Sequence, residues 1–132
     1  MTKPTIFIID DNDMTRTVLR MTIQGDIFDV IGDASNGQIG LENVIKLKPD
    51  IVCLDVVMPT CDGLDLLKQI KEALPRVAVL MVTASSDSIT VNTAIERGAS
   101  GFITKPFNSV TVLETLAKTW ATVCSQNPTH SD

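Results

Sequence analysis

The chain has 132 residues, a net charge of −5 and a hydrophobic content of 44%. This acidic balance argues against a nucleic-acid-binding or membrane-surface protein, and the hydrophobic content excludes disorder over most of the length. The length fits one domain, no segment resembles a signal peptide or a membrane span, and the three cysteines form no CxxC pair, so we expect a cytoplasmic domain with reduced thiols.

The first part of the chain predicts a strand followed by a helix. Thr5–Ile9 is a short, β-branched apolar strand that ends at an acidic run, residues 10–13. Asp13 serves as N-cap or first-turn residue of a helix that runs to about Gln24. We predict that the buried side of this helix carries Val18, Leu19, Met21, Thr22 and Ile23.

A second strand–helix pair and a third strand follow. The second strand is predicted over Phe28–Ile31, and Pro49 ends the helix after it. The third strand, Ile51–Leu54, ends at Asp55, after which Pro59 and Gly63 break the backbone. The apolar stripe of the second helix is predicted to be Ile39, Leu41, Val44, Ile45 and Leu47.

The remainder of the chain predicts two further pairs. A third helix spans residues 63–74, a fourth strand spans Val77–Val82, and a fourth helix, capped by Ser86 or Asp87, runs to Arg97 before Gly98. The fifth strand is Gly101–Thr104. Asn108 or Ser109 opens the last helix, and we place the domain at 1–124 with a polar tail at 125–132. The stripe of that helix is predicted to be Val110, Leu113, Ala117, Trp120 and Cys124.

Strand and helix thus alternate five times, and the strands are apolar enough to be buried on both faces. Parallel strands need crossover connections, and those connections are right-handed. The sequence therefore predicts an α/β fold, a (βα)5 doubly wound sandwich with a parallel five-stranded sheet covered by helices on both faces.

Polar side chains stand at the ends of four of these strands: Asp10 and Asp11, Asp55, Thr83 and Lys105. In a parallel sheet these ends open on the same edge, where α/β proteins bind ligands. Three carboxylates brought together repel one another unless a cation is present, and Mg²⁺ (or Mn²⁺) prefers such oxygen ligands.

The other strand-end residues suit phosphoryl transfer. Lys105 adds a positive charge, Thr83 a hydroxyl donor, and the small Ala84 leaves room for a ligand. Phosphoryl transfer requires that the phosphoryl group be positioned and that its negative charge be neutralised. A carboxylate such as Asp55 can itself be the nucleophile.

Each of these residues also has a plainer interpretation. The acids can cap helices or turns, Lys105 can be a solvated side chain before a proline, and Thr83 a common strand-end threonine. Phe102 and Trp120 can be ordinary packing residues. It is the combination of residues on separate strand ends that favours the functional interpretation.

The same residues resemble a known family, the receiver domains of two-component response regulators. The resemblance covers about residues 5 to 123 and implies a flavodoxin-like strand order of 2-1-3-4-5. It rests on motifs that fall in the family's order: Asp10-Asp11-Asn12 with Arg16, Asp55-Val56-Val57-Met58-Pro59 with Gly63, Thr83-Ala84, Gly101-Phe102 and Lys105-Pro106-Phe107.

The resemblance implies a role for each site residue. Asp55 would be the phosphoacceptor, and Asp11, Asp55 and the backbone carbonyl of Val57 would bind Mg²⁺ directly, with Asp10 acting through a water. Lys105 would pair with a phosphoryl oxygen, beside Ala84. Thr83 and Phe102 would be the switch pair, and the bond before Pro106 would be cis.

The implied function is a signalling module that catalyses only its own phosphotransfer and autodephosphorylation. A sensor histidine kinase or phosphotransfer protein would be the donor, and an unidentified protein would bind the face made by the fourth helix, fifth strand and fifth helix. We expect a monomer or weak dimer, with no direct contact to nucleic acid or membrane.

Two other functional classes fit the sequence less well. A haloacid-dehalogenase-like phosphatase would need a second acid two residues after Asp55, where this chain has Val57. A flavin-binding flavodoxin relative would need a phosphate-binding loop after the first strand, where this chain has the acidic run 10–13.

Overall fold

A computed structural model describes residues 3–58, 61–84 and 88–126. The chain alternates between strands and helices, apart from two short extra strands that follow the third strand. The strands are β1 (Thr5–Ile9), β2 (Asp29–Ala34), β3 (Ile51–Asp55), β4 (Val57–Met58), β5 (Cys61–Asp62), β6 (Ala78–Thr83) and β7 (Gly101–Thr104). The helices are α1 (Asp13–Ile23), α2 (Gly37–Leu47), α3 (Gly63–Ala73), α4 (Ser88–Glu96) and α5 (Ser109–Gln126).

The main sheet has five parallel strands in the order β2-β1-β3-β6-β7, which confirms the predicted topology. β3 lies at the centre, and all five of its residues are buried. Because every strand runs in the same direction, the carboxyl ends of β1, β3, β6 and β7 share one edge of the sheet.

Helices cover both faces of the sheet, as predicted. Neighbouring residues of one strand face different cores: Ile9 and Leu54 pack with α2, α3 and α4, whereas Ile8 and Cys53 pack with α1 and α5. This alternation is the period of two that an extended strand imposes on its side chains. Among the described residues, no helix is long and apolar enough to cross a membrane.

Two strand predictions need correction. β2 spans Asp29–Ala34, whereas Phe28–Ile31 was predicted. Its parallel pairing with β1 continues to the Ile9–Ala34 pair. The Gly-Asp sequence within this stretch is typical of a turn, which is why the strand was predicted to end earlier. A short antiparallel hairpin, β4–β5, follows β3 and was not predicted, since its strands have only two residues each.

The helix stripes were predicted too broadly. On three helices, large apolar residues of the predicted stripes are exposed, because a helix buries only the arc that faces the sheet. In α5 the buried positions are Val112, Leu116 and Thr119, and Ala117 is exposed. The other residues predicted to be buried but found at least two-fifths exposed are Val18, Met21, Ile39, Ile45, Leu47 and Val110.

The helix ends follow the local chemistry. Asn12 caps α1 by accepting a hydrogen bond from the Thr15 backbone N–H, with Asp13 in the first turn, and Asn108 accepts one from Thr111 at the start of α5. The predicted caps of α4, Ser86 and Asp87, lie outside the described residues. α5 continues through Gln126, two residues into the predicted tail, and residues 127–132 also lie outside the described part.

Candidate functional site

Three carboxylates meet at the carboxyl edge of the sheet. Asp10 follows β1, Asp11 opens the next loop, and Asp55 ends β3, which pairs with β1. One carboxylate oxygen from each lies within 4.8 Å of the others. The structure therefore brings together the three acids that the strand ends predicted.

Asp10 is the most buried of the three, at 1% exposure. Its Oδ1 accepts a hydrogen bond from the Asn12 backbone N–H at 2.9 Å. Its buried Oδ2 has no hydrogen-bond partner among the described residues, and the Lys105 Nζ lies 3.6 Å away. A buried oxygen without a hydrogen bond is uncommon and indicates a position where a cation or bound water belongs.

Lys105 connects β7 to the acids. Its Nζ lies 3.8 Å from the Asp55 Oδ1, and Asp55 is 5% exposed. One lysine therefore faces two carboxylates, so the site keeps an excess of negative charge that can hold a cation.

The donor set fits a hard divalent ion. Carboxylate oxygens at this spacing are the ligands that Mg²⁺ prefers, and Asp11 is exposed and also lines an open cavity of about 730 Å³ with Met58 and Leu66. Val57, whose carbonyl was predicted as a further ligand, lies two residues after Asp55 in β4. Its part in metal binding stays a prediction.

Thr83 and Ala84 lie beside the acids at the end of β6. β6 pairs with β3, and Thr83 is buried at 4% exposure, whereas Ala84 is exposed. The Thr83 carbonyl accepts a hydrogen bond from the Lys105 backbone N–H at 2.8 Å. This bond ties the threonine and the lysine to each other across β6 and β7.

The predicted switch aromatic, Phe102, lies in β7 and is partly buried against the core on the α2–α3–α4 side. Its strand partner is Met81, two residues before Thr83. Two residues beyond the end of β7, the peptide bond between Lys105 and Pro106 is cis.

Arg16 has a positional role that the sequence motif did not explain. Its guanidinium donates a hydrogen bond to the Asp10 backbone carbonyl at 2.8 Å, and it also contacts the carboxylates of Asp13 and Asp33. The arginine thereby fixes the backbone that carries two of the acids. Arg16 lies six residues after Asp10, in the first turns of α1. This spacing was the sequence feature that could have indicated the contact.

Gly63 has a second positional role. Its backbone N–H donates to the Val56 carbonyl at 2.9 Å, and a Cβ at this position would lie 2.3 Å from the Asp55 carbonyl oxygen. No side chain fits there without displacing backbone. α3 therefore begins in direct contact with the chain that carries Asp55.

Comparisons with known proteins agree with this geometry. The family model described as response regulator receiver domain matches residues 6–117. The chemotaxis protein CheY of Listeria monocytogenes is 39% identical over 113 residues, which cover 86% of this chain and 95% of that protein. The transcriptional regulatory protein LnrK of Bacillus subtilis is 40% identical over 110 residues, covering 83% of this chain and 50% of that protein.

A solved structure gives the same result. The crystal structure of the response regulator domain of Thermotoga maritima CheB matches with a TM-score of 0.80 at 31% identity. The match covers 92% of this chain and 97% of that chain.

Proposed function

The chain belongs to the family of response regulator receiver domains, and we propose that its Asp55 accepts a phosphoryl group and thereby switches a protein-binding surface. The donor in this proposal is a phosphohistidine on a sensor histidine kinase or a phosphotransfer protein, and the setting is the cytoplasm. The divalent ion is Mg²⁺ or Mn²⁺.

The observation that carries the proposal is the convergence of Asp10, Asp11 and Asp55 around a buried oxygen without a hydrogen bond. Such a cluster is unfavourable without a cation, and a bound divalent ion supplies charge neutralisation for a phosphoryl group. Asp11, Asp55 and the Val57 carbonyl would hold the ion directly, and Asp10 would act through a water.

The transfer is a displacement at phosphorus. A carboxylate oxygen of Asp55 forms the new P–O bond while the P–N bond to the donor imidazole breaks, and the leaving nitrogen keeps the electron pair. Lys105, already 3.8 Å from Asp55, pairs with a phosphoryl oxygen, and Ala84 leaves space for the group. The Thr83 hydroxyl then donates to another phosphoryl oxygen.

The proposed output surface consists of α4, β7 and α5. Two large apolar side chains of α4 are exposed there, Ile89 at 78% and Ile95 at 56%. Because Thr83 and Lys105 are joined by a backbone hydrogen bond at the edge of this surface, movement of either residue reaches β7 directly. Phe102 in β7 is the proposed second member of the switch. We propose a monomer or weak dimer that contacts neither nucleic acid nor membrane itself.

The first test is the intact mass of the protein after incubation with Mg²⁺ and acetyl phosphate. We expect one added phosphoryl group on the wild type and none on Asp55→Asn, because the amide is a poor nucleophile. Asp26→Asn, which removes an exposed acid in the turn before β2, should label like the wild type. EDTA should abolish labelling.

The mass measurement also separates the ways in which the proposal can fail. Labelling that persists in Asp55→Asn would place the acceptor elsewhere. Absence of an adduct on the wild type, together with absence of beryllofluoride binding, would refute phosphoacceptance by this pocket.

A further inference from the structure

A second cavity lies at the opposite edge of the sheet from the acids. It is formed where the loops entering β3 and β6 meet the last turns of α5, and it has a volume of about 360 Å³. Its apolar lining comes from Pro49, Leu74, Pro75, Val77, Trp120 and Val123. A concave, mainly apolar cavity of this size falls in the range that holds small ligands.

Two cations line the same cavity. Lys48 and Arg76 are exposed, and within the described ranges neither side chain has a hydrogen-bond or ion-pair partner. Among the described lining residues Asp50 is the one acid, and its Oδ2 accepts hydrogen bonds from the Thr5 backbone N–H at 2.8 Å and from the Thr5 hydroxyl at 3.2 Å. The described lining therefore carries two cations against one anion, and neither cation forms an ion pair with that anion.

The backbone at Lys48 has an unusual conformation. Lys48 is the C-cap of α2 and lies in the left-handed region, with φ of 51° and ψ of 60°, directly before Pro49. Glycine or asparagine is the usual residue at such a position, and other residues there are uncommon. The left-handed backbone conformation at this position favours glycine or asparagine, yet the chain has a lysine there, which places a positive charge beside the cavity.

We propose that this cavity binds a small amphipathic anion. Its flat apolar body would lie against Trp120, and its carboxylate would lie between Lys48 and Arg76. The apolar surface lines an open concavity bordered by charged residues, which fits a small molecule better than a flat protein face. The site is separate from the acid cluster, because Asp50 and Val77 precede the strands whose far ends lead to Asp55 and Thr83.

The test uses Trp120, the single tryptophan of the chain, whose indole N–H gives one resonance in a ¹H–¹⁵N NMR spectrum. The protein is titrated with 1-naphthaleneacetate and with 1-naphthaleneacetamide, which has the same ring without the charge. We expect a saturable shift of the indole resonance, with the carboxylate binding about tenfold more tightly than the amide, equivalent to about 1.4 kcal/mol.

Charge variants decide whether the two cations recognise the anion. Lys48→Gln combined with Arg76→Gln should remove the difference between carboxylate and amide, whereas Lys68→Gln, an exposed lysine outside the lining, should preserve it. Equal affinity for both compounds in the wild type would overturn the proposal. An indole resonance that neither compound shifts would also overturn it. If, in a parallel titration, only an acidic, aromatic peptide shifted the resonance, the proposal would fail and the cavity would be a protein-docking site.

Discussion

Arg16 shows how one side chain can organise a site without entering it. The Arg16 guanidinium, on α1, donates a hydrogen bond to the Asp10 backbone carbonyl. The carboxylate of Asp33, on β2, forms ion pairs with both Arg16 and Arg20. The loop after β1 is therefore fixed from outside the acid cluster. Removing a group that orients metal ligands in this way commonly lowers metal affinity by roughly ten- to a hundredfold.

We predict that Arg16→Ala weakens Mg²⁺ binding by roughly tenfold, because the backbone carrying Asp10 and Asp11 loses its anchor. Isothermal titration with MgCl₂ measures this change. Arg20→Ala is the matched control, since it removes an arginine that pairs with Asp33 at 2.7 Å and has no contact with Asp10. Equal affinities in the two variants would show that Arg16 does not position the acids.

Cys53 gives a second prediction at the residue scale. It is fully buried in β3, and burial raises the pKa of its thiol to about 12, so thiolate is scarce at neutral pH. We expect iodoacetamide to leave Cys53 unmodified in the native protein while it alkylates the partly exposed Cys124. Peptide mapping measures both sites, and urea should make Cys53 reactive. Rapid native labelling of Cys53 would contradict its burial.

The residues that could be predicted from the sequence are those at strand ends. Asp10, Asp55 and Lys105 are recognisable because each interrupts or directly follows an apolar run, and parallel strands bring such positions together. The contact between Arg16 and the Asp10 carbonyl was not predictable in this way, because a backbone carbonyl has no distinctive sequence. Only the folded loop shows which side chain reaches it.

At the level of elements, the start of α3 packs closely against the end of β3. Gly63 allows the first turn of α3 to lie against the backbone of Asp55 and Val56, with no room for a Cβ. The β4–β5 hairpin connects the two elements, with Val57 paired to Asp62. The start of α3 therefore helps to set where Asp55 lies.

We predict that Gly63→Ala destabilises the protein by about 1–3 kcal/mol, because the new methyl group must displace backbone atoms. It should also slow phosphorylation of Asp55 by acetyl phosphate. Urea unfolding measures the first effect and intact mass over time the second. Gly25→Ala is the control, because the nearest atom to its Cβ would be the Ile23 carbonyl oxygen at 4.0 Å. A stable, normally phosphorylated Gly63→Ala variant would refute this role.

Element types were more predictable than element limits. The five strands of the main sheet and their helices could be predicted from the composition and spacing of apolar residues. The end of β2 could not, because β2 continues through Gly32 and Asp33 by pairing with β1. The predicted stripe of α5 was partly right, since Leu113 and Trp120 pack against the core, whereas Val110 and Ala117 are exposed. Burial depends on how a helix packs against the sheet, which its own apolar pattern defines only in part.

At the scale of the whole molecule, the sheet separates two cores, with an acid cluster at the carboxyl ends of its strands and a cavity at their amino ends. The acids lie at the carboxyl edge, and the cavity beside Trp120 lies at the amino edge. The central strand β3 has one end near each of them, with Asp50 before it and Asp55 at its end. A single fully buried strand thus runs from one edge to the other.

The buried Oδ2 of Asp10 has a thermodynamic consequence. A carboxylate oxygen enclosed without a hydrogen bond, close to two other acids, makes the metal-free native state less stable than its packing alone would allow. An ion that binds the native state and not the unfolded chain adds about 2.7 kcal/mol at a hundredfold excess over its dissociation constant. For a domain of this size, that gain corresponds to a rise in melting temperature of roughly 10 °C.

We therefore expect the melting temperature to rise with the logarithm of MgCl₂ concentration, measured by circular dichroism against NaCl of matched ionic strength. Asp10→Asn should melt at a higher temperature than the wild type without metal and respond less to Mg²⁺. Identical curves in the two salts would argue against a metal site. If the expectation holds, the heat resistance of this protein is set partly by the ionic composition of its surroundings, and its melting curve serves as a gauge of free divalent ion.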